Sequence, residues 1–156
     1  MTFAAWLEQL GISVWVRESG SIWAYPTVLF LHTLGLSLAV GLSLAVSLRV
    51  LGLAKELPFT PFRKFGKLLW TGFWINFFSG LVLLAAGATS KLANPVFYVK
   101  MAFIAPAVLF TRSMWKGLSP AHANQRAAAA ASLFCWFGAI TAGRLLAYLG
   151  THTPGR

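Results

Sequence analysis

The chain has 156 residues, 58% of them hydrophobic and 10% charged, with a mean hydropathy of +0.71. A soluble domain is nearer 25% charged, so water is not the main solvent of this sequence. Its formal charge of +10 would point to nucleic acid in a soluble protein, but the bases collect in two short loops between apolar runs, as membrane topology requires, and nucleic acid is not an expected partner.

The single cysteine, Cys135, allows no internal disulfide. The first twenty residues lack a basic start and an uninterrupted apolar stretch, so they do not read as a signal peptide. Nothing marks a second domain, and residues 1–156 are read as a single membrane domain.

Residues 2 to 18 place Phe3, Trp6, Leu7 and Leu10 on one helical face, away from Glu8 and Gln9. This pattern predicts a short amphipathic helix in the interface, with Trp6 and Trp15 at headgroup depth, or a helix across the mouth of a bundle. Gly20 and Ser21 then break the chain.

The first span covers about residues 25–50. Between Pro26 and Leu48 it has one ionisable residue, His32, and its length suffices to cross a bilayer. A histidine inside such a span is costly and marks a functional site by default. The repeat GLSLAV at 35–40 and 41–46 is no module, since six residues rotate a helix by about 600°. Ala39, Ser43 and Ser47 follow the small-xxx-small spacing of closely packed membrane helices. Ala39 and Ser43 lie near the azimuth of His32, which turns it toward protein. Arg49 ends the span and is placed to snorkel.

Thr60-Pro61, Asn94-Pro95 and Ser119-Pro120 each read as an N-cap followed by a helix-starting proline. The spans they precede cover about residues 66–88, 95–115 and 127–149. Pro106 should kink the third by freeing the carbonyl of Ala102. The fold expected is all-α: a four-helix up-down-up-down membrane bundle with an N-terminal interfacial amphipathic helix.

Arg49, Lys55, Arg63, Lys64 and Lys67 flank the first loop, and Arg112, Lys116 and Arg126 the third. The other side carries Arg17, Lys91 and Arg156. This bias puts the first and third loops in the cytoplasm and both termini outside, in a bacterial inner membrane.

Depth follows from that topology. His32 and Arg144 each lie about 9 Å inside the outer face and Lys100 about 7.5 Å, at 1.5 Å per residue. No acid lies within the spans. Two cations without acidic partners call for an anionic or strongly polar ligand. A histidine beside two cations suits haem b, with imidazole on iron and Lys and Arg on the propionates. A quinone would accept hydrogen bonds from His32 and Lys100, and a lipid phosphate would need the cations alone. Tyr148 and Trp136 are candidates to line the same cavity. Asn76 and Ser79 read as interhelical hydrogen-bonding residues. Cys135, Met101 and Met114 sit at different depths and form no copper cluster. A second histidine for bis-histidine haem is missing from the spans, since His122 and His152 lie outside them.

Several stretches carry a resemblance: W-x-Y-P at Trp23 to Pro26, L-H-x-x-G-L at Leu31 to Leu36, L-R-x-L-G at Leu48 to Gly52, A-N-P-x-F-x-x-K at Ala93 to Lys100, and G-R-L-L-A-Y at Gly143 to Tyr148. Through them most of the chain resembles a family of small bacterial four-helix membrane proteins of unknown function. The first-helix histidine and third-helix lysine are also distantly similar to membrane protoporphyrinogen-oxidase type and copper-resistance-D type proteins. The former implies haem or porphyrin, a likeness limited to His32 and Lys100. The family often has an acid just before the histidine and Asp before L-R, where this chain has Leu29 and Ser47. A role that needs a buried carboxylate, such as proton transfer, does not fit these departures.

Two readings follow. One is a membrane protein with an outer-leaflet site that binds haem b or porphyrin through His32, Lys100, Arg144 and Tyr148, with His32 on the iron. The other is a non-catalytic subunit that binds lipid, quinone, other membrane subunits or its own copy. A transporter is disfavoured by the lack of an inverted repeat and of intramembrane acids.

Overall fold

A computed structural model describes residues 2–53, 56–117 and 123–150. They form α1 (Phe3–Glu8), α2 (Gly11–Glu18), α3 (Tyr25–Leu51), α4 (Thr60–Lys64), α5 (Gly66–Ala85), α6 (Ala88–Ala93), α7 (Pro95–Lys116) and α8 (Ala123–Gly150), with no strand among the described residues. Four segments are long and apolar enough to cross a membrane: α3, α5, α7 and Asn124–Tyr148 of α8. The chain is therefore read as a multi-pass membrane protein in contact with lipid.

The amphipathic stretch near the N-terminus is two helices rather than one. Leu10 is extended, at φ −60° and ψ 137°, and Gly11, a poor helix former, begins α2. The Ser13 hydroxyl donates back to Leu7 O at 2.8 Å and ties the start of α2 to the last turn of α1, whose Leu7 O also accepts from Leu10 N–H at 3.3 Å. Phe3 and Trp6 stay exposed and stack at 6.1 Å.

α3 carries Pro26 in its first turn and ends on Gly52, whose φ of 106° is left-handed. A residue without Cβ adopts that conformation at no steric cost, and Leu53 N–H then reaches Leu48 O at 3.0 Å. The terminal glycine of the L-R-x-L-G stretch thus has a structural reason. Arg49 does more than snorkel: its Nε donates to Leu57 O at 2.6 Å and its guanidinium lies 4.3 Å over the Phe59 ring.

The proline signals divide. Asn94 caps α7 as expected, its Oδ1 accepting from Val96 N–H at 3.0 Å. Thr60 does not cap: Phe59 holds the N-cap position without a side-chain bond, and α4 closes after five residues. Ser119-Pro120, Lys55, His122 and His152 lie outside the described residues. α5 ends at Ala85, three residues before the expected boundary, because the chain leaves helical geometry at Gly87 and re-enters as α6. α7 runs through Pro106 as one helix, and α8 begins before residue 127.

Small residues govern how close the helices come. A Cβ placed on Gly35 would stand 2.5 Å from Asn76 N and 2.6 Å from Gly72 O. α3 and α5 therefore meet backbone to backbone, an approach only small residues permit. Ala39, Ser43 and Ser47 are buried, as their spacing predicts. Ser43 bonds Thr111 of α7 at 2.8 Å and Ser132 of α8 at 3.3 Å. Trp136 Nε1 donates to Ser43 Oγ and Thr111 Oγ1, each at 3.1 Å. Trp136 is thus a buried donor in a polar knot between three helices rather than a wall of the histidine's cavity. Extended packing joins α3 to α5, α3 to α8 and α7 to α8, while α5 and α7 share no extended contact.

Candidate functional site

The first turns of α3 and α7, the last turns of α5 and α8, and α6 surround a cavity of about 450 Å³. That size falls within the range of roughly 300–1,000 Å³ typical of small-ligand sites. His32, Lys91, Lys100, Ser90 and Asn94 supply polar lining, and Leu29, Leu83, Phe97 and Leu146 apolar lining. Residues from four of the sequence stretches singled out above converge here: Tyr25, His32, Asn94, Lys100, Gly143 and Ala147.

His32 is held by α5. Its Nδ1 lies 3.0 Å from the backbone carbonyl of Asn76 and 3.2 Å from Ser79 Oγ. A carbonyl only accepts, so Nδ1 carries the proton and donates, which leaves Nε2 with its lone pair in the neutral ring. Ser79 is free to accept because its own hydroxyl donates to Ile75 O at 2.6 Å. Asn76 Nδ2 donates to the backbone carbonyl of His32 at 2.8 Å and stands 3.3 and 3.4 Å from the two ring nitrogens. Asn76 and Ser79 are interhelical partners, as their sequence positions imply.

Glycines leave room for three of the polar side chains of the cavity. A Cβ on Gly80 would lie 3.1 Å from His32 Cε1, one on Gly87 would lie 3.5 Å from Lys91 Nζ, and one on Gly143 would lie 3.6 Å from Lys100 Cε. The ring and the two lysine stems run over these bare backbone positions.

Lys91 is the residue that sequence reasoning missed, having counted it only as a loop charge. α6 brings it inward, and its ammonium donates to Leu83 O near the end of α5. α6 is itself pinned by α1: Glu8 Oε1 accepts from Thr89 N–H at 2.7 Å. Burial, and then the neighbouring Lys100 ammonium, hold Lys91 below the ordinary lysine range, with Glu8 opposing.

Of the residues expected from sequence, the structure brings His32 and Lys100 into one cavity. Arg144 and Tyr148 are exposed and are not among its lining residues. The helical turn explains this: Gly143, Leu146 and Ala147 face the cavity at i, i+3 and i+4, whereas Arg144 and Tyr148 share a face about 100° away. Among the described residues no three His, Cys, Asp or Glu gather as a metal-ligand group.

No family model, curated protein or solved structure matches the chain.

Proposed function

We propose that this protein is a membrane-embedded binding protein whose cavity takes the acidic headgroup of an amphiphile, with Lys91 and Lys100 on the acid and His32 as a third polar contact. The observation that carries this reading is two half-buried ammonium groups in one cavity that no carboxylate lines. Paired buried cations are costly unless an anion meets them. Leu29, Phe97 and Leu146 provide apolar surface for the remainder of the ligand.

The bilayer frame belongs to the same proposal. The four spans form one up-down-up-down bundle, supported by a cavity that gathers the starts of α3 and α7 with the ends of α5 and α8. The basic loops face the cytoplasm of a bacterial inner membrane and both termini face outward. The cavity then opens in the outer leaflet, and α1 and α2 lie at that interface with Trp6 and Trp15 half exposed.

Haem b is the second reading. Its support is the Nδ1–H bond of His32 to a carbonyl, the arrangement that orients a metal-binding imidazole and raises its basicity. His32 would hold the iron through Nε2, and Lys91 and Lys100 the propionates. The Asn76 amide nitrogen 3.4 Å from Nε2 competes for that lone pair, which places haem behind a colourless anionic ligand.

Solvent extraction of the purified protein, followed by mass spectrometry, tests both readings. An acidic amphiphile should be enriched over bulk membrane lipid and fall about a hundredfold in Lys91→Gln/Lys100→Gln, the scale of two charge-assisted bonds. An extract unchanged by that double substitution refutes the reading. A Soret band lost in His32→Ala would establish haem in its place.

A further inference from the structure

The opposite end of the bundle has a second hollow, where α5 begins and α7 ends without packing along each other. It measures about 410 Å³ and is lined by Trp70, Trp74, Arg112, Trp115 and Lys116. Arg112 and Lys116 are one turn apart on α7, so both side chains leave the same face. Both are exposed, and neither has an acidic partner among the described residues. Two of the chain's three acids sit elsewhere: Glu8 bonds α6 at the other end and Glu18 pairs with Arg17.

The α5 wall continues beyond the hollow as an aromatic ladder. Trp70 meets Phe73 at 5.6 Å between ring centroids, and Trp74 meets Phe77 at 5.7 Å and Phe78 at 5.8 Å. Trp74, Phe77 and Phe78 expose about half their surface, at 51%, 44% and 58%. From Trp70 to Phe78 the helix advances about 12 Å into the apolar layer. A basic rim, an indole wall and an apolar track thus follow one another in the order of a phospholipid's parts.

We propose that this hollow binds an anionic glycerophospholipid. Its phosphodiester lies between Arg112 and Lys116, its glycerol region against the Trp70 and Trp115 indoles, and one acyl chain along Trp74, Phe77 and Phe78. Indole rings favour the headgroup level, and basic pockets between membrane helices suit anionic headgroups. A zwitterionic lipid is disfavoured because it brings a cation to two cations. A free phosphate would satisfy the rim and leave the ladder unused.

The test uses full-length, delipidated protein in mild detergent, titrated with phosphatidylglycerol or phosphatidylcholine and read by native mass spectrometry. Lys91→Gln/Lys100→Gln protein serves as the background, so that binding at the first cavity is greatly weakened. Phosphatidylglycerol should bind about tenfold more tightly than phosphatidylcholine, and Arg112→Gln/Lys116→Gln should remove about that factor. Equal binding of the two lipids, or no loss on substitution, overturns the proposal. Displacement by millimolar inorganic phosphate also overturns it and makes the hollow a phosphate site. A second measurement needs no background substitution: phosphatidylglycerol with brominated acyl chains should quench tryptophan fluorescence of the natural protein, and Trp70→Leu/Trp74→Leu should abolish most of that quenching. Quenching unchanged in that variant places the lipid elsewhere. The first test weakens the first cavity and the second reads the Trp70 and Trp74 indoles, so the first cavity's function stands or falls separately.

Discussion

His32 on α3 and Asn76 on α5 each bond the other's backbone: His32 Nδ1 donates to Asn76 O at 3.0 Å, and Asn76 Nδ2 donates to His32 O at 2.8 Å. The reciprocity ties the cavity's histidine to the close crossing of α3 and α5, since Asn76 N is the atom nearest a Cβ placed on Gly35. The site is therefore positioned by the same residues that seat α5 on α3.

Because each side chain bonds a backbone carbonyl, neither substitution removes the other's partner. His32→Ala and Asn76→Ala should each cost about 0.5–1.5 kcal/mol, or a few degrees in melting midpoint for a chain of this size. The double variant should lose about the sum. Thermal unfolding in detergent checks this. A coupling above about 1 kcal/mol would assign the stabilisation to the ring–amide contact instead.

A second prediction concerns the crossing itself. Gly35→Ala puts a methyl group 2.5 Å from backbone nitrogen, where no side chain can yield. The helices must separate, and the loss should reach or exceed the usual overpacking cost of about 1–3 kcal/mol. Gly41→Ala on the same helix meets nothing within 4 Å, so its melting midpoint should hold or rise slightly. Equal losses for the two variants would mean that general glycine effects, and not the crossing, set the result.

The apolar runs made the spanning helices legible, and the stripe Ala39, Ser43, Ser47 correctly gave the buried face of α3. Asn94 and Gly52 followed from capping chemistry. What escaped was azimuth. Counting residues from a helix end gives depth alone, and depth placed Arg144 beside His32 and Lys100 although its face turns away from them. The glycines were the available signal: Gly80 and Gly87 repeat at seven residues on one face of the chain leaving α5, and Gly143 precedes Leu146 and Ala147 at cavity-facing spacing. Lys91 was not legible, because its direction depends on a six-residue helix between Gly87 and Asn94 pinned by Glu8, 81 residues before Thr89 in the chain.

The depressed proton affinity of Lys91 gives a pH prediction. Its folded-state value lies below the ordinary 10.5, through burial first and then Lys100. Between the folded value and 10.5 the unfolded chain binds more protons, so stability rises with pH across that window. Below the folded value both states are protonated and the unfavourable contribution is fully present. Melting midpoints should therefore climb as pH rises from the folded value toward 10.5, and Lys91→Met should flatten the climb. A slope identical in the variant would locate the titration elsewhere. Ligand affinity should run the other way, because an anion favours the protonated ammonium.

The last prediction separates the two cations that sequence and structure place differently. Lys91 lines the cavity beside Lys100, whereas Arg144 occupies an exposed face of α8 a residue from Gly143. If the bound amphiphile is held by the cavity, Lys91→Gln should lower its retention about tenfold, the scale of one charge-assisted hydrogen bond of roughly 1.5–3 kcal/mol. Arg144→Gln and Tyr148→Phe should change retention by less than about twofold, consistent with surface substitutions within ±0.5 kcal/mol. Gly143→Val offers an independent check, since it crowds the Lys100 stem without altering charge: a Cβ there already stands 3.6 Å from Lys100 Cε. It should weaken retention although its immediate neighbour Arg144 does not. The measurement is the amount of amphiphile extracted per protein from the four variants, each first shown to unfold cooperatively. Loss in Arg144→Gln with retention in Lys91→Gln would move the binding surface out of the cavity and onto the outer face of α8.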